Sequence, residues 1–323
     1  MTPLEPLRFA PFLRRLPWGG RRLESLLARS LPPGDDYAES WEIADHALHT
    51  SRVASGPLAG RSLAELLRER GAELLGRHWP QAQFPLLLKF LDARTPLSVQ
   101  VHPDDQRAAL CDPPECGKSE AWVVLDAAPG SVLYAGLKAG IDRRTLEREL
   151  AAGRYLDCLH AYRPAPGDCL YLPAGAVHAL GAGFVVAELQ QPSDCTYRLF
   201  DWDRRGPDGL PRQLHIEQAL DAIRFDLGPV APQTPQATSE PHVELLVASP
   251  HFVLERWRLA HPQPIGGDEV CRVLAVLSGT VQTTGEGFGE TWPAGTTAIL
   301  PANSTWSLSA LAGKAVLLVG HLP

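Results

Sequence analysis

Four side chains in this sequence have the types and spacing to hold a metal ion: Gln100, His102, Glu120 and His178. Gln100 and His102 stand two apart in LSVQVHPDD (97–105), so on an extended strand they share a face. His178 sits in PGDCLYLPAGAVHAL (166–180), where Gly167, Pro173, Gly175 and His178 follow the pattern G-x5-P-x-G-x2-H. Glycine and proline there set two sharp turns around a short strand, and the histidine emerges just after the second turn. Glu120 falls between the two motifs. Two imidazoles, one carboxylate and one neutral amide oxygen suit Zn²⁺, with Fe²⁺, Mn²⁺ or Co²⁺ as competitors. A neutral glutamine among the ligands leaves more positive charge on the ion, which favours holding substrate oxygens or water.

Strands must carry these groups. The apolar runs within 84–102, split by a turn at DARTP, predict two of them. EAWVVLD (120–126) and SVLYA (131–135) predict two more around a Pro-Gly turn, and strands resume with the His178 motif and FVVAELQQ. Helices are expected at 62–75, where Ser62 and Glu65 form a capping box, at 142–161 with Asp142 as N-cap, and at 214–225. Residues 227–242, with four prolines and no periodicity, read as a linker. Beyond it, 243–320 shows short strands, Gly/Pro turns and no convincing helix. The expected architecture is mainly β: two barrel-like units, 1–226 with helical insertions and 243–323 without metal, joined by 227–242.

Composition narrows the function classes. A net charge of −7 argues against a nucleic-acid surface, although a few local cations would suffice for a small anion. No apolar run reaches the roughly 20 residues of a membrane span. The N-terminus has arginines but no continuous apolar stretch of the secretory kind. Six cysteines without a C-x-x-C pair read as reduced thiols, which suits a cytoplasmic protein. Of the 30 basic residues only Lys89, Lys118, Lys138 and Lys314 are lysines. Two of these flank the Gln100/His102 motif, where an ammonium can do what a guanidinium cannot: change protonation state.

G-x5-P-x-G-x2-H is similar to the second signature of the cupin (jelly-roll) barrel, and Gln100, His102 and Glu120 stand where its first signature has ligands, with an unusually long gap before Glu120. More specifically, FPLLLKFLDARTPLSVQVHPDD, GKSEAWVVLD, PGDCLYLPAGAVHALG and ELQQPSDCTYRLFDWDR, in that order, resemble type I mannose-6-phosphate isomerases of the short bacterial form. WGG near residue 18 and SWEIADH near residue 40 also match, and the likeness runs from about residue 8 to 225.

That resemblance implies interconversion of mannose 6-phosphate and fructose 6-phosphate with one bound zinc on Gln100, His102, Glu120 and His178. It further implies Arg198 as the active-site arginine, Lys118 as an active-site lysine, and Glu188 as an acidic residue for proton transfer. Lys89 and Ser98 match positions that hold the substrate phosphate. Glu188 is the favoured base; Lys118 is the other candidate and would need a pKa lowered by burial and metal. The bland readings are Glu188 as a salt-bridge partner of Arg198 and Lys118 as a partner of a carboxylate. Two rivals stand beside the isomerase: a metal-dependent dioxygenase, and a non-catalytic sugar-phosphate-binding module. In the second unit Trp306 stands where a metal histidine would fall, and Trp292 and Trp306 are expected to fill core. The chain is expected to be a monomer or small homo-oligomer.

Overall fold

The structure is a computed structural model that describes residues 4–205 and 209–323. Antiparallel sheets face each other in two pairs. In the first pair, a six-stranded sheet runs in the order Phe12–Gly20, Tyr37–Ile43, Leu87–Ala93, Phe184–Gln190, Glu120–Ala127, Cys169–Leu172. Its partner has five strands, ordered Tyr197–Phe200, Val99–Val101, His178–Ala179, Leu133–Leu137, Leu159–Tyr162. Trp18, Leu91, Trp122 and Val186 of the first sheet pack with Leu133 and Ala135 of the second in one core cluster.

Alternation along each strand decides what enters the space between these sheets. On Leu87–Ala93, Leu91 and Ala93 face the partner sheet, while Leu88 and Phe90 join a core on the opposite face. Lys89 shares the inward parity. Trp122 and Val124 likewise face inward with Glu120, and Val186 with Glu188, whereas Ala121, Val123, Val185 and Ala187 face out. The five-stranded sheet does the same: Val99, Val101, Val177, Ala179 and Leu199 pack behind it against the helices, through Leu146 and Leu220. Gln100, His178 and Arg198 therefore share the inner face. Each buried aliphatic side chain is worth about 1.5–3 kcal/mol, so a one-residue slip that put Lys89, Glu120 or Glu188 into the apolar layer would be strongly opposed.

The outer face of the six-stranded sheet does not meet solvent. Ile43, Phe90 and Val185 pack with Leu246, Leu254, Val273 and Leu318 of the C-terminal half. That half holds the second pair of sheets: six strands ordered Gln236–Ala237, Val243–Ala248, Val253–Leu259, Ala315–His321, Arg272–Ser278, Thr297–Leu300, and four ordered Gln263–Gly266, Thr305–Ala310, Thr280–Gly285, Phe288–Pro293. Trp257, Trp292 and Trp306 fill the core between them, as expected for the last two.

Several expectations need correction. The helix expected over 142–161 spans only Arg143–Ala151; Gly153, at φ +72°, leads into a short 3-10 turn and the strand Leu159–Tyr162. The helix expected over 214–225 is Ile216–Ala222. Residues 227–242 are not a free tether: Val230 N donates to Ala135 O at 3.1 Å, Gln233 N donates to Cys169 O at 2.7 Å, and Gln236–Ala237 extends the third sheet. The strands Phe12–Gly20 and Tyr37–Ile43 had no counterpart in the sequence reading, yet they form one edge of the first sheet. The capping box of Ser62 and Glu65 and the Asp142 N-cap are both present.

Candidate metal centre and substrate pocket

His178 begins its two-residue strand directly opposite Gln100 in register. The turn before it depends on Gly175, at φ +89°, where a Cβ would lie 2.6 Å from Arg224 Cγ and 3.1 Å from Ala222 O. Gly175 N also donates to His102 O at 2.9 Å, so one turn fixes the backbone of both histidines.

Both imidazoles are anchored away from the site. His102 Nδ1 donates to Cys195 O at 2.8 Å and His178 Nδ1 donates to Ala176 O at 2.9 Å. Those bonds select the tautomer whose Nε2 carries a lone pair, and both Nε2 atoms point toward Glu120. His178 Nε2 lies 3.3 Å from Glu120 Oε1, and His102 Nε2 lies 3.5 Å from Glu120 Oε2. Burial pushes His178 down to about 4 and His102 well below the ordinary histidine value, which keeps both rings neutral. Ligand atoms of His102, Glu120 and His178 lie within 4.8 Å of one another, all three residues are buried, and Glu120 Oε1 has no hydrogen-bond partner. Converging lone pairs in a buried site, with one carboxylate oxygen unsatisfied, fit a cation.

Gln100 lies beside this group. Its Oε1 accepts from Ser98 Oγ at 2.9 Å while its Nε2 lies 3.3 Å from His178 Nε2; a half-turn of the amide would exchange the two ends. Lys118 Nζ lies 2.7 Å from Glu120 Oε2 and 3.0 Å from His102 Nε2, so its ammonium is directed at the same lone pairs.

A cavity opens beside these residues, and Lys118, Glu120, Glu188, Ser98, Arg198 and Arg212 are among the residues that line it. Glu188 accepts from Trp122 Nε1 at 3.1 Å and has Lys89 Nζ 3.0 Å from Oε1, although that approach is poorly angled for a hydrogen bond. Burial raises the Glu188 carboxyl against the pull of Lys89. Lys89 is itself raised: burial would lower it, but the surrounding carboxylates, Glu188 and Glu39 foremost, together outweigh burial. Arg198 differs from both. Its Nε is buried without a partner, no ion pair of its guanidinium is found among the described residues, and Glu188 pairs with Lys89 instead. Burial and then the neighbouring Arg212 charge lower Arg198, although a guanidinium stays protonated throughout the working range.

All nine residues expected in the site thus line or adjoin one cavity. The structure adds others. Arg14 bridges Glu39 and Asp194 at 3.1 and 3.3 Å, Trp18 walls the pocket, and His215 Nδ1 accepts from Arg198 N at 3.2 Å. Asp104 caps the helix Asp105–Ala108, and Asp105 Oδ1 accepts from Gly117 N at 2.8 Å, which fixes the approach to Lys118.

The turn that carries the Cys195 carbonyl is held by Glu115, whose Oε2 accepts from Ser193 Oγ at 2.6 Å and Asp194 N at 3.0 Å, with His46 Nε2 at 3.7 Å. Contact with His46, reinforced by Ser193 and Asp194, holds this carboxyl down at about 2 against the cost of burial. A depressed carboxyl contributes stability above its unfolded value, near 4.3, that is lost as pH falls toward 2. Discounted for partial exposure, Glu115→Gln should destabilise the protein by about 1–2 kcal/mol at pH 7. Urea melts of both proteins should show that gap shrinking below about pH 4.5; a gap independent of pH would contradict the assignment.

The comparisons agree with this geometry. The family description phosphomannose isomerase type I, catalytic domain, matches residues 7–118. A mannose-6-phosphate isomerase of Streptococcus mutans is 36% identical over 282 residues, 87% of each chain. This chain belongs to the type I phosphomannose isomerase family. A second relative in the family, mannose-6-phosphate isomerase ManA of Bacillus subtilis, is 32% identical over 85% of this chain and 86% of its own. The crystal structure of the Bacillus subtilis mannose 6-phosphate isomerase superposes with a TM-score of 0.91 at 30% identity, covering 99% of this chain and 100% of that one. Among the described residues no helix is long and apolar enough to cross a membrane.

Proposed function

We propose that this chain interconverts mannose 6-phosphate and fructose 6-phosphate through a cis-enediol, with one Zn²⁺ held by Gln100, His102, Glu120 and His178. The observation that carries this reading is the unsatisfied, buried Glu120 Oε1 between two outward-anchored imidazoles, in the same cavity as an unpaired Arg198. When bound, the ion supplies positive charge against which sugar oxygens can be polarised or oriented.

The chain's own residues supply the rest. Glu188 Oε1 is the group that takes the proton from C2 and returns it to C1; it is buried, lines the cavity, and burial raises its carboxyl, which strengthens it as a proton acceptor. Lys89 holds that carboxylate in place from the neighbouring strand, directly opposite in register. Lys118 is the second candidate for the proton, because its ammonium and a cation compete for the same lone pairs. Arg198 presents a fork to adjacent oxygens and can offset charge developing on O1 and O2. Trp18, Leu91 and Leu97 form an apolar wall that limits water.

The electrostatics revise one expectation. Lys89 has its charge matched by Glu188 and Glu39, whereas Arg198 has no ion-pair partner among the described residues and Arg212 shares its partner Asp201, at 3.3 Å, with Arg204, so positive charge exceeds negative in the part of the cavity lining that includes Arg198 and Arg212. The phosphate, close to dianionic, is therefore assigned to Arg212 with Ser98, and Lys89 to positioning Glu188. Arg212→Ala should raise KM by roughly tenfold with a smaller change in kcat, since a charge-assisted hydrogen bond is worth about 1.5–3 kcal/mol. Unchanged KM alongside a raised KM in Lys89→Ala would restore the earlier assignment.

Formation of fructose 6-phosphate from mannose 6-phosphate in a coupled assay, abolished by chelator, tests the function. Oxygen uptake without that product would favour a dioxygenase, and a thermal shift with sugar phosphate but no turnover would favour a binding module. Six free cysteines support the cytoplasm as the compartment.

A further inference from the structure

Two thiols meet beside the proposed ligands. Cys111 follows the helix Asp105–Ala108, Cys195 precedes the strand Tyr197–Phe200, and their Sγ atoms lie 3.6 Å apart. The Tyr197 hydroxyl is 3.2 Å from Cys111 Sγ. Cys158, Cys169 and Cys271 are buried, but Cys111 and Cys195 are both partly exposed. Cys195 is also the residue whose carbonyl orients His102, at 2.8 Å from Nδ1.

We propose that Cys111 and Cys195 form a modification site: a reversible disulfide, made by exchange with a small-molecule disulfide, that weakens metal retention by drawing the Cys195 carbonyl away from His102. The proposal rests on the metal reading given above.

A disulfide brings the sulfurs to about 2.05 Å, so the present separation must close by roughly 1.5 Å. The Cys111 side of the pair is the better anchored. Cys111 N and Glu115 N both donate to Ala108 O at 3.1 Å, and Ala108 is fully buried. Cys195 N donates to the Ser193 hydroxyl at 3.2 Å, and that hydroxyl is in turn held by Glu115 at 2.6 Å. Closure at the sulfurs therefore pivots the turn at 193–195 about its Glu115 contact, and the carbonyl on His102 moves with it. Loss of an outer hydrogen bond to a ligating histidine costs about 10–100-fold in metal affinity.

The chemistry balances. The Cys111 thiolate attacks one sulfur of the small disulfide, breaks its S–S bond and expels one thiolate. The Cys195 thiolate then attacks the Cys111 sulfur of the mixed disulfide and expels the second. Two cysteines are oxidised, the reagent is reduced to two thiols, and the two cysteine protons pass to the leaving thiolates.

The test uses the full chain with oxidised glutathione as the reagent and Zn²⁺ alone as the probe. Peptide mass mapping locates the linkage, and competition with a chromophoric chelator measures Zn²⁺ affinity before and after oxidation. The expected result is a Cys111–Cys195 linkage with affinity reduced about tenfold or more, restored by a reductant. Cys111→Ser and Cys195→Ser should each abolish both changes, and Cys116→Ser should behave as wild type. Either serine variant suffices if the other folds poorly. Absence of the linkage, or a linkage that leaves Zn²⁺ affinity unchanged, overturns the proposal. Reduced protein that binds no Zn²⁺ at all would instead overturn the metal reading on which it rests.

Discussion

His178→Ala is expected to release the metal ion and to lower turnover by more than about a thousandfold. His178 is one of two imidazoles in the proposed ligand set, and its Nε2 faces an oxygen of Glu120 that has no hydrogen-bond partner among the described residues. Removing it deletes a ligand and leaves that carboxylate buried with less compensation, which penalises the charged form. Loss of a single preorganised donor costs about 10²–10³ in rate, so loss of the ion that organises the oxygens costs more. Elemental analysis after desalting checks the first part and the coupled assay checks the second. The backbone should survive, because Val177 and Ala179 keep their places in the core behind the sheet; an unchanged far-ultraviolet circular dichroism spectrum would separate metal loss from unfolding. Full occupancy with normal turnover would remove His178 from the ligand set.

Arg198→Ala should have the opposite signature: metal retained, turnover down by about 10²–10³. Arg198 lies opposite Gln100 on the adjacent strand, with its backbone fixed by His215 on both sides, through Arg198 N to His215 Nδ1 and His215 N to Arg198 O. Its charge has no ion-pair partner among the described residues, which is costly for a half-buried guanidinium with a buried Nε and makes sense if a substrate anion supplies the partner. Arg198→Lys should recover only part of the loss, since an ammonium cannot span two oxygens as a planar fork does. A kcat indistinguishable from wild type, or loss of metal on this substitution, would contradict the role.

These two residues also mark how far the sequence could be read. His178 was legible because turn chemistry is local: Gly175 must adopt a backbone that other residues resist, and Pro173 fixes the entry. Gln100 and His102 were legible from the two-residue period of a strand. Glu120 was recognised through its order between motifs and through the family resemblance, since nothing local distinguishes it from other strand carboxylates. Arg198 came from the resemblance alone.

The supporting residues were hidden for a different reason. Lys89 and Glu188 are direct partners across two strands almost a hundred residues apart, a register that no local pattern encodes. Without it, Lys89 read as a free cation for phosphate rather than as the neighbour of a carboxylate. Cys195, Glu115 and Arg212 likewise reach the site through loops, and the four-residue helix that Asp104 caps is too short to show a period. The strand Tyr37–Ile43 is buried on both faces and so lacks the polar alternation that marks a half-exposed strand. Local chemistry was readable, and long-range pairing was not.

The most direct test of the account is a metal titration of chelator-stripped protein, with fructose 6-phosphate formation from mannose 6-phosphate followed at each addition of Zn²⁺. No product should form without metal, and the rate should rise linearly and level off at one equivalent per chain. Full activity in the stripped protein, or no product at any ratio, would contradict it.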